Sequence, residues 1–406
     1  MFDALISDIN GVWRGLQLPP PDVEDAIKNG LSMPRSLYAL RLDGGVVEET
    51  GIGLATGDPD YPCVFLPQTR AKTAWRKDGE QAVMTMQLPD GKPFYASPQA
   101  VLAAVSDKLT ADNMTPVLAA EFEFYLDGED NSANDSELYS PDKMARNDDF
   151  FNLLRRAAAE QNINLGAAIS EYAPGQFEVN LRHGNAEEAC LQALLFRRLV
   201  RSCARAVGRR ATFMAKPRGE LSGSGMHVHL SLQDGRGGFC FTDEKMLMSA
   251  VAGALAVMRE AFLFFAPFGN SYRRFVPGSY VPLSACWAKE DRRAAVRIPL
   301  ADSPGAVRLE LRTPGADANP CLVAAALMAG VHWGIVNRLT PPKSMATSRV
   351  PATWHAAMDT FARAKILPQY IDKRFLRLYH QIKTSEMRRE IARISEEERD
   401  DYRRVL

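Results

Sequence analysis

The sequence predicts an α+β protein in two unequal parts: a small, mostly β domain over residues 1–96 and a larger domain over 97–406 in which strands and helices mix. Three observations carry this. The first part holds short strand-like runs at 4–9, 11–18, 36–42 and 82–88, separated by Gly, Pro and Asp. Long stretches with apolar residues at helical spacing begin only after Ser97. Between them lie short segments in which charged and apolar residues alternate, the period of a strand with one wet face. A chain of 406 residues has room for two or three domains at roughly 100–200 residues each.

In chain order, Pro19-Pro20-Pro21 and Gly57-Asp58-Pro59-Asp60 are turn clusters, and residues 23–29 form a short helix. Ser97-Pro98 opens a helix, with serine at the cap and proline at the first helical position. Leu102, Val105 and Leu109 follow at helical spacing. The stretch 128–140, rich in Asp, Asn and Ser, predicts a mobile loop. Residues 148–161 form a helix with Phe151, Leu154 and Ala158 on one face. Residues 186–207 form a long one, apolar at Leu191, Leu194, Leu195 and Leu199 with arginines opposite. Segments 246–265 and 316–336 are apolar enough to be largely buried, and 384–406 is a charged helical tail. No internal repeat is visible.

Composition excludes several function classes. Lys plus Arg is 49 and Asp plus Glu is 49, so the chain lacks the basic excess of a protein that lives on nucleic acid. No membrane span is expected, since the longest apolar run, from Met246, meets Arg259 and Glu260 after about 13 residues, short of the ~20 required. No basic n-region opens the chain, so no secretory leader is expected. The six cysteines (Cys63, Cys190, Cys203, Cys240, Cys286, Cys321) form no C-x-x-C pair and read as buried reduced thiols. The expectation is a cytoplasmic enzyme with small-molecule substrates.

The informative segments put ionisable groups on one strand face. Glu121-Phe122-Glu123-Phe124 sets two carboxylates against two phenyls. Met226-His227-Val228-His229-Leu230 does the same with two imidazoles. Arg308-Leu309-Glu310-Leu311-Arg312 places a carboxylate between two guanidiniums. Gln176-Phe177-Glu178-Val179-Asn180 repeats the pattern, with Glu171 seven residues upstream. One such segment alone is an ordinary half-solvated strand. Like charges side by side destabilise a strand, however, so several together make more sense as one lining. If Glu121, Glu123, Glu171, Glu178 and Glu310 converge with an imidazole, the cluster needs cations. Oxygen donors with one histidine suit Mg²⁺ or Mn²⁺, and Arg274, Arg292 and Arg297 suit carboxylate or phosphate. There is no G-x-x-x-x-G-K-[ST] loop and no H-E-x-x-H. Gly51-Ile52-Gly53-Leu54-Ala55-Thr56-Gly57 has its third glycine one residue late for a dinucleotide fingerprint and reads as a turn. Ser222-Gly223-Ser224-Gly225 is a loop whose backbone can approach a ligand closely.

At these residues the chain resembles the glutamine synthetase family. The motifs are those above together with Ser170-Glu171 through Asn180, Lys216-Pro217, Asn270-Ser271-Tyr272-Arg273-Arg274-Phe275-Val276-Pro277-Gly278, Arg292 to Pro299, and Asn319-Pro320. They run from about residue 4 to the C-terminus in the family's order. The resemblance implies a small N-terminal β-grasp domain and a larger glutamine-synthetase-type catalytic domain with an antiparallel sheet and surrounding helices. It implies a homo-oligomer, hexamer or dodecamer, with active sites between subunits. The implied chemistry is phosphorylation of the glutamate γ-carboxylate by ATP, then displacement of phosphate by a nitrogen nucleophile. Glu123, Glu171 and Glu178 match the ligands of one divalent metal, and Glu121, His227 and Glu310 those of a second. Gly223, Arg274 and Arg312 match glutamate-binding positions. His229, Ser231, Arg292 and Arg297 match positions that contact ATP or the transferred phosphoryl group.

The departures concern the nucleophile. Ammonia-using members carry a flap glutamate after the Val-Pro-Gly motif, whereas here Val276-Pro277-Gly278 is followed by Ser279-Tyr280-Val281-Pro282. Their small-domain Asp-Gly-Ser-Ser loop is replaced near Thr50-Gly51-Ile52-Gly53. A desolvated ammonium needs a carboxylate partner. The opening Ser7-Asp8-Ile9-Asn10-Gly11-Val12-Trp13-Arg14-Gly15 and Trp287 resemble the amine-using γ-glutamylpolyamine synthetase branch. Tyr280 and Trp287 are the candidate walls of an amine pocket. Ser222 stands where many members have asparagine against glutamate, and the N-terminal helix common in the family is short or absent, which admits a single hexamer. The expected activity is therefore an ATP-dependent γ-glutamyl ligase using an organic amine, a polyamine such as putrescine or a small monoamine. Glutamine synthesis from ammonia, a different acid substrate, and a non-catalytic regulator or scaffold are the alternatives. Six intact metal ligands count against the last.

Overall fold

The computed structural model describes residues 1–128, 138–346 and 348–406. The middle of the loop expected at 128–140 lies outside the described residues. The fold is α+β, with a small N-terminal sheet and a larger unit of mixed sheet and helices.

The small sheet has five strands in the order Trp13–Leu18, Phe2–Ser7, Glu80–Met86, Asp60–Lys72, Leu31–Pro34. Phe2–Ser7 and Glu80–Met86 run parallel at its centre, and the other neighbours are antiparallel. Helix Val23–Asn29 forms as expected. Residues 36–42 do not form a strand: Arg35–Ala39 is a short 3-10 helix, with Ser36, Leu37, Tyr38 and Ala39 all buried. An apolar run of that length packs a core equally well as a turn. The 13-residue strand Asp60–Lys72 and the strand Leu31–Pro34 were not expected, because both contain proline.

The larger sheet runs Trp287–Lys289, Val296–Ile298, Leu309–Leu311, Met226–Gln233, Thr115–Asp127, Gln176–Leu181, Leu165–Ser170. It is antiparallel except at one edge, where Trp287–Lys289 and Val296–Ile298 are parallel. One face is apolar. Phe122 and Phe124 point into a cluster with Phe196 and Phe213, with ring centroids 5.7 Å apart for Phe122–Phe196 and 5.5 Å for Phe124–Phe213. Phe150, Phe151 and Phe177 extend it. This packing commits the opposite face to the ionisable groups.

Helices cover the apolar side. Pro98–Ala111 starts at Ser97 as expected, although the serine hydroxyl makes no capping bond. Asp148–Glu160 buries Phe151, Leu154 and Ala158. Ala186–Ala206 buries Leu194, Leu195 and Leu199, with Leu191 half-buried, but Arg197 is buried with them and donates to the Ala318 carbonyl at 3.0 Å. Glu244–Phe265 runs through Arg259 and Glu260 for 22 residues, a length and composition that would suffice to cross a membrane. Here it is a core helix: 67% of its most apolar window is buried. The Glu260 carboxylate caps Leu367–Tyr370, accepting from the backbone of Lys365, Ile366 and Leu367. Its partner helix begins at Pro320, later than residue 316, and spans Pro320–Val336. The two pack so closely at glycines that a Cβ on Gly253 would lie 1.9 Å from the Gly330 carbonyl oxygen. The charged helix expected at 384–406 is instead divided: its first residues end the helix Lys373–Ile391, which starts earlier and buries Phe375, Leu378 and Ile382, and its rest forms Glu396–Val405, of which no residue is buried. All six cysteines are free thiols; five are buried and Cys240 is partly exposed.

Candidate active site

Strand register brings the predicted carboxylates together. His227 lies opposite Glu121, and Glu123 lies opposite Glu178. Glu310 lies opposite His229 on one side and Arg297 on the other. Directly opposed residues share a face, so one surface carries Arg297, Glu310, His229, His227, Glu121, Glu123 and Glu178 in a band across five strands. Glu171 enters just past the end of Leu165–Ser170, its amide donating to the Gln176 carbonyl at 2.9 Å.

The contacts are short. His227 Nδ1 is 3.4 Å from Glu121 Oε2 and 3.9 Å from Glu310 Oε1, and its Nε2 is 3.9 Å from Glu123 Oε1. His229 Nε2 is 3.0 Å from Glu121 Oε1. Glu310, 1% exposed, accepts from Arg297 Nη1 at 2.9 Å and from Arg312 Nη1. The Gly225 amide donates to Glu123 Oε2 at 2.7 Å, and Asn180 Nδ2 donates to Glu121 Oε1 at 3.3 Å.

The electrostatics divide the cluster. Burial pushes Glu171 up to about 7, with the Glu123 charge adding to it. Burial raises Glu178 further, reinforced by Glu121, Glu123 and Glu171. Glu121 and Glu310 are held below the ordinary range. Burial opposes this, but the His227 imidazole hydrogen-bonded to Glu121, with the His229 ring beside it, outweighs it for Glu121, and the neighbouring His227, Arg312 and His229 do so for Glu310. Carboxylates that close, two with compensation and two without, fit a site completed by hard cations. Two triplets have ligand atoms all within 4.8 Å: Glu121, Glu178 and His227, and Glu121, Glu310 and His229.

A prediction follows from the signs. Glu171 and Glu178 prefer their protonated forms in the fold, so the stability they contribute is present below their ordinary value of 4.5 and is lost as pH rises through about 7 for Glu171 and higher for Glu178. A divalent cation replaces those protons. Mg²⁺ is therefore expected to raise the melting temperature by several degrees at pH 8 and hardly at all at pH 5. Equal shifts at both pH values would contradict the reading.

The glutamate-binding candidates lie beside the cluster. Arg274 is 3% exposed, with Nη1 donating to the Thr313 carbonyl at 2.7 Å and Nη2 to the Arg312 carbonyl at 3.3 Å. Its Nε is buried without a partner. A Cβ on Gly223 would lie 2.7 Å from both Ala215 O and Arg274 Cγ, so only glycine fits that approach. Arg312 is buried, its Nε donating to the Arg292 carbonyl at 3.0 Å. The Arg292 side chain is exposed. Ser231, partly exposed, shares the face of His227 and His229 two residues further along their strand.

The amine-pocket pair separates. Tyr280 is 70% exposed in the stretch after Gly278. Trp287 is not brought to the carboxylates. Its neighbour Ala288 aligns with Arg297, so Trp287 points to the sheet's other face. There its Nε1 donates to the Pro342 carbonyl at 2.8 Å, in the segment after helix Pro320–Val336.

Four residues named in the sequence motifs were given no role there. Alternation put Asn180 and Arg308 on the faces of Glu178 and of Glu310, but not their contacts with Glu121 and His229. Gly225 and Gln176, whose Nε2 donates to the Gly223 carbonyl at 3.0 Å, act through or upon backbone, a role that side-chain alternation does not reveal.

Fold and lining together define an α+β protein whose larger sheet carries, on one face, carboxylates, histidines and arginines of the kind that suit divalent cations and anionic groups. The sequence profile described as "Glutamine synthetase, catalytic domain" matches residues 95–402. Gamma-glutamylputrescine synthetase PuuA of Escherichia coli (strain K12) is 36% identical over 417 residues, covering 95% of this chain and 88% of that protein. Glutamate–isopropylamine ligase of a Pseudomonas species is 30% identical, covering 82% and 77%. The crystal structure of a novel glutamine synthase homolog superposes with a TM-score of 0.87 at 24% identity, over 98% of this chain and 96% of that one. The chain belongs to the glutamine synthetase family. Members of that family are ligases that use ATP and divalent metals.

Proposed function

We propose that the protein is an ATP-dependent ligase that joins the γ-carboxylate of glutamate to an organic amine through a γ-glutamyl phosphate. The observation that carries this is the band of five carboxylates, with His227 among them, beside the buried Arg274 and Arg312. The absence of any acidic side chain in Ser279-Tyr280-Val281-Pro282 favours an organic amine over ammonium. The names of the PuuA and isopropylamine relatives support the same choice.

In this reading Glu123, Glu171 and Glu178 hold one Mg²⁺ or Mn²⁺, and Glu121, His227 and Glu310 a second. Bound there, the cations neutralise the phosphates of ATP and the charge that builds on the transferred group. Arg274, Arg312 and the backbone at Gly223 fix glutamate. Arg297 and Arg292, with His229 and Ser231, receive the phosphates. Arg297 is already aligned by Glu310, so little reorganisation is needed when a phosphate arrives. Tyr280 offers an aromatic face to the hydrocarbon of the amine. The domain boundary falls at 96/97, the assembly is a hexamer or dodecamer with sites between subunits, and the location is cytoplasmic.

The test is phosphate release from ATP with Mg²⁺ and glutamate across ammonium, ethanolamine, short alkylamines, putrescine and spermidine. One organic amine should exceed ammonium by at least tenfold in kcat/KM. A preference for ammonium would overturn the reading of the flap, and silence across the panel would overturn the acid or the activity.

A further inference from the structure

Distance alone leaves two histidines competing for the cations, since each completes a triplet with Glu121. Arg308 separates them. Its Nε donates to His229 Nδ1 at 3.2 Å, and its Nη1 donates to the Ala306 carbonyl at 2.9 Å, which pins the guanidinium. A guanidinium has five donors and no acceptor. His229 Nδ1 must therefore present its lone pair to Arg308, which places the ring proton on Nε2. That atom is buried, 3.0 Å from Glu121 Oε1 but out of line for a hydrogen bond. A nitrogen bearing a proton cannot also give a lone pair to a metal. His227 has no such lock: the groups within reach of both its ring nitrogens are carboxylates, which leave either tautomer open.

We propose that Arg308 is a positioning residue that fixes His229 as an Nε2–H donor, reserving the cation for His227 and turning His229 toward anions. This rests on the metal reading above and goes beyond it, because it assigns the choice between the histidines to a residue that touches neither cation nor carboxylate. Fixing a ring tautomer through the far nitrogen is a known way to set what an imidazole can bind.

Mn²⁺ titrated into the full-length protein and read by electron spin-echo envelope modulation counts imidazole nitrogens bound to the ion, independently of turnover. The wild type should show one. His227→Asn should lose it and His229→Asn should keep it. Arg308→Met, which removes the donors at similar length, should show two, and Arg308→Lys, which retains a donor, should return to one. Circular dichroism on each variant confirms folding. Two bound imidazoles in the wild type, loss of the signal in His229→Asn, or a single imidazole in a folded Arg308→Met would overturn the proposal. Absence of any bound Mn²⁺ in the wild type would overturn the metal reading itself, a result distinguishable from the others.

Discussion

Replacing Glu310 with alanine is expected to lower kcat by at least about a hundredfold, the scale seen when one preorganised electrostatic group is removed from an active site. Glu310 is both a proposed metal ligand and the shared acceptor of Arg297 and Arg312, whose side chains are 14% and 9% exposed. Without it the buried Arg312 loses its anion and Arg297 keeps only Glu290, 3.3 Å away, a loss of about 3–5 kcal/mol in stability by analogy with broken buried ion pairs. Glu310→Gln separates the two effects. The amide keeps the shape and one acceptor oxygen, so most of the stability should remain while turnover stays low. Near wild-type turnover in either variant, measured by phosphate release, would remove Glu310 from the site.

The second large effect lies away from the chemistry. Lys383 is 0% exposed, and its Nζ donates to Asn10 Oδ1 at 2.7 Å and Glu386 Oε2 at 2.8 Å. Glu386 Oε1 also accepts from Asn10 Nδ2 at 3.2 Å and the Leu42 amide at 2.7 Å. The network ties the C-terminal helix Lys373–Ile391 to the turn between the first two strands. Burial lowers the Lys383 ammonium's pKa and the Glu386 charge opposes that. Glu386→Ala strips the network of its anion and should cost about 3–5 kcal/mol. The pair Lys383→Met with Glu386→Leu removes both charges and should recover much of that. Chemical denaturation checks both; a loss under about 1 kcal/mol in the single variant would show that the buried charge is otherwise compensated.

Much of the site was legible because alternation fixes which residues share a face. Glu121 with Glu123, His227 with His229, and Glu310 with its arginines follow from a period of two. What alternation cannot give is which strands are neighbours. That the Glu121 strand lies between those of His227 and Glu178 depends on contacts far apart in sequence. Trp287 shows the cost: its strand has three residues and pairs in parallel with Val296–Ile298, so nothing local revealed its face. The helices Pro98–Ala111, Asp148–Glu160 and Ala186–Ala206 were visible from their apolar spacing, whereas the first half of Lys373–Ile391 was missed and Asp60–Lys72 was hidden by Pro62 and Pro67 in a strand of the small sheet. The resemblance assigns His227 to a metal and His229 to phosphate, but a physical reason for that choice needs coordinates, since both imidazoles read alike by alternation until Arg308 is seen behind one of them.

The central claim is that glutamate is activated by phosphorylation on its γ-carboxylate before an amine attacks. Glutamate labelled with ¹⁸O in that carboxylate tests this directly. One carboxylate oxygen attacks the γ-phosphorus of ATP, ADP leaves, and phosphate later departs carrying that oxygen. Mass spectrometry of the phosphate released with ATP, Mg²⁺ and the preferred amine should find one ¹⁸O per phosphate, matched by the γ-glutamyl amide. Phosphate released without label would show that ATP is cleaved by water, and the account of this site as an amide-forming ligase would fail.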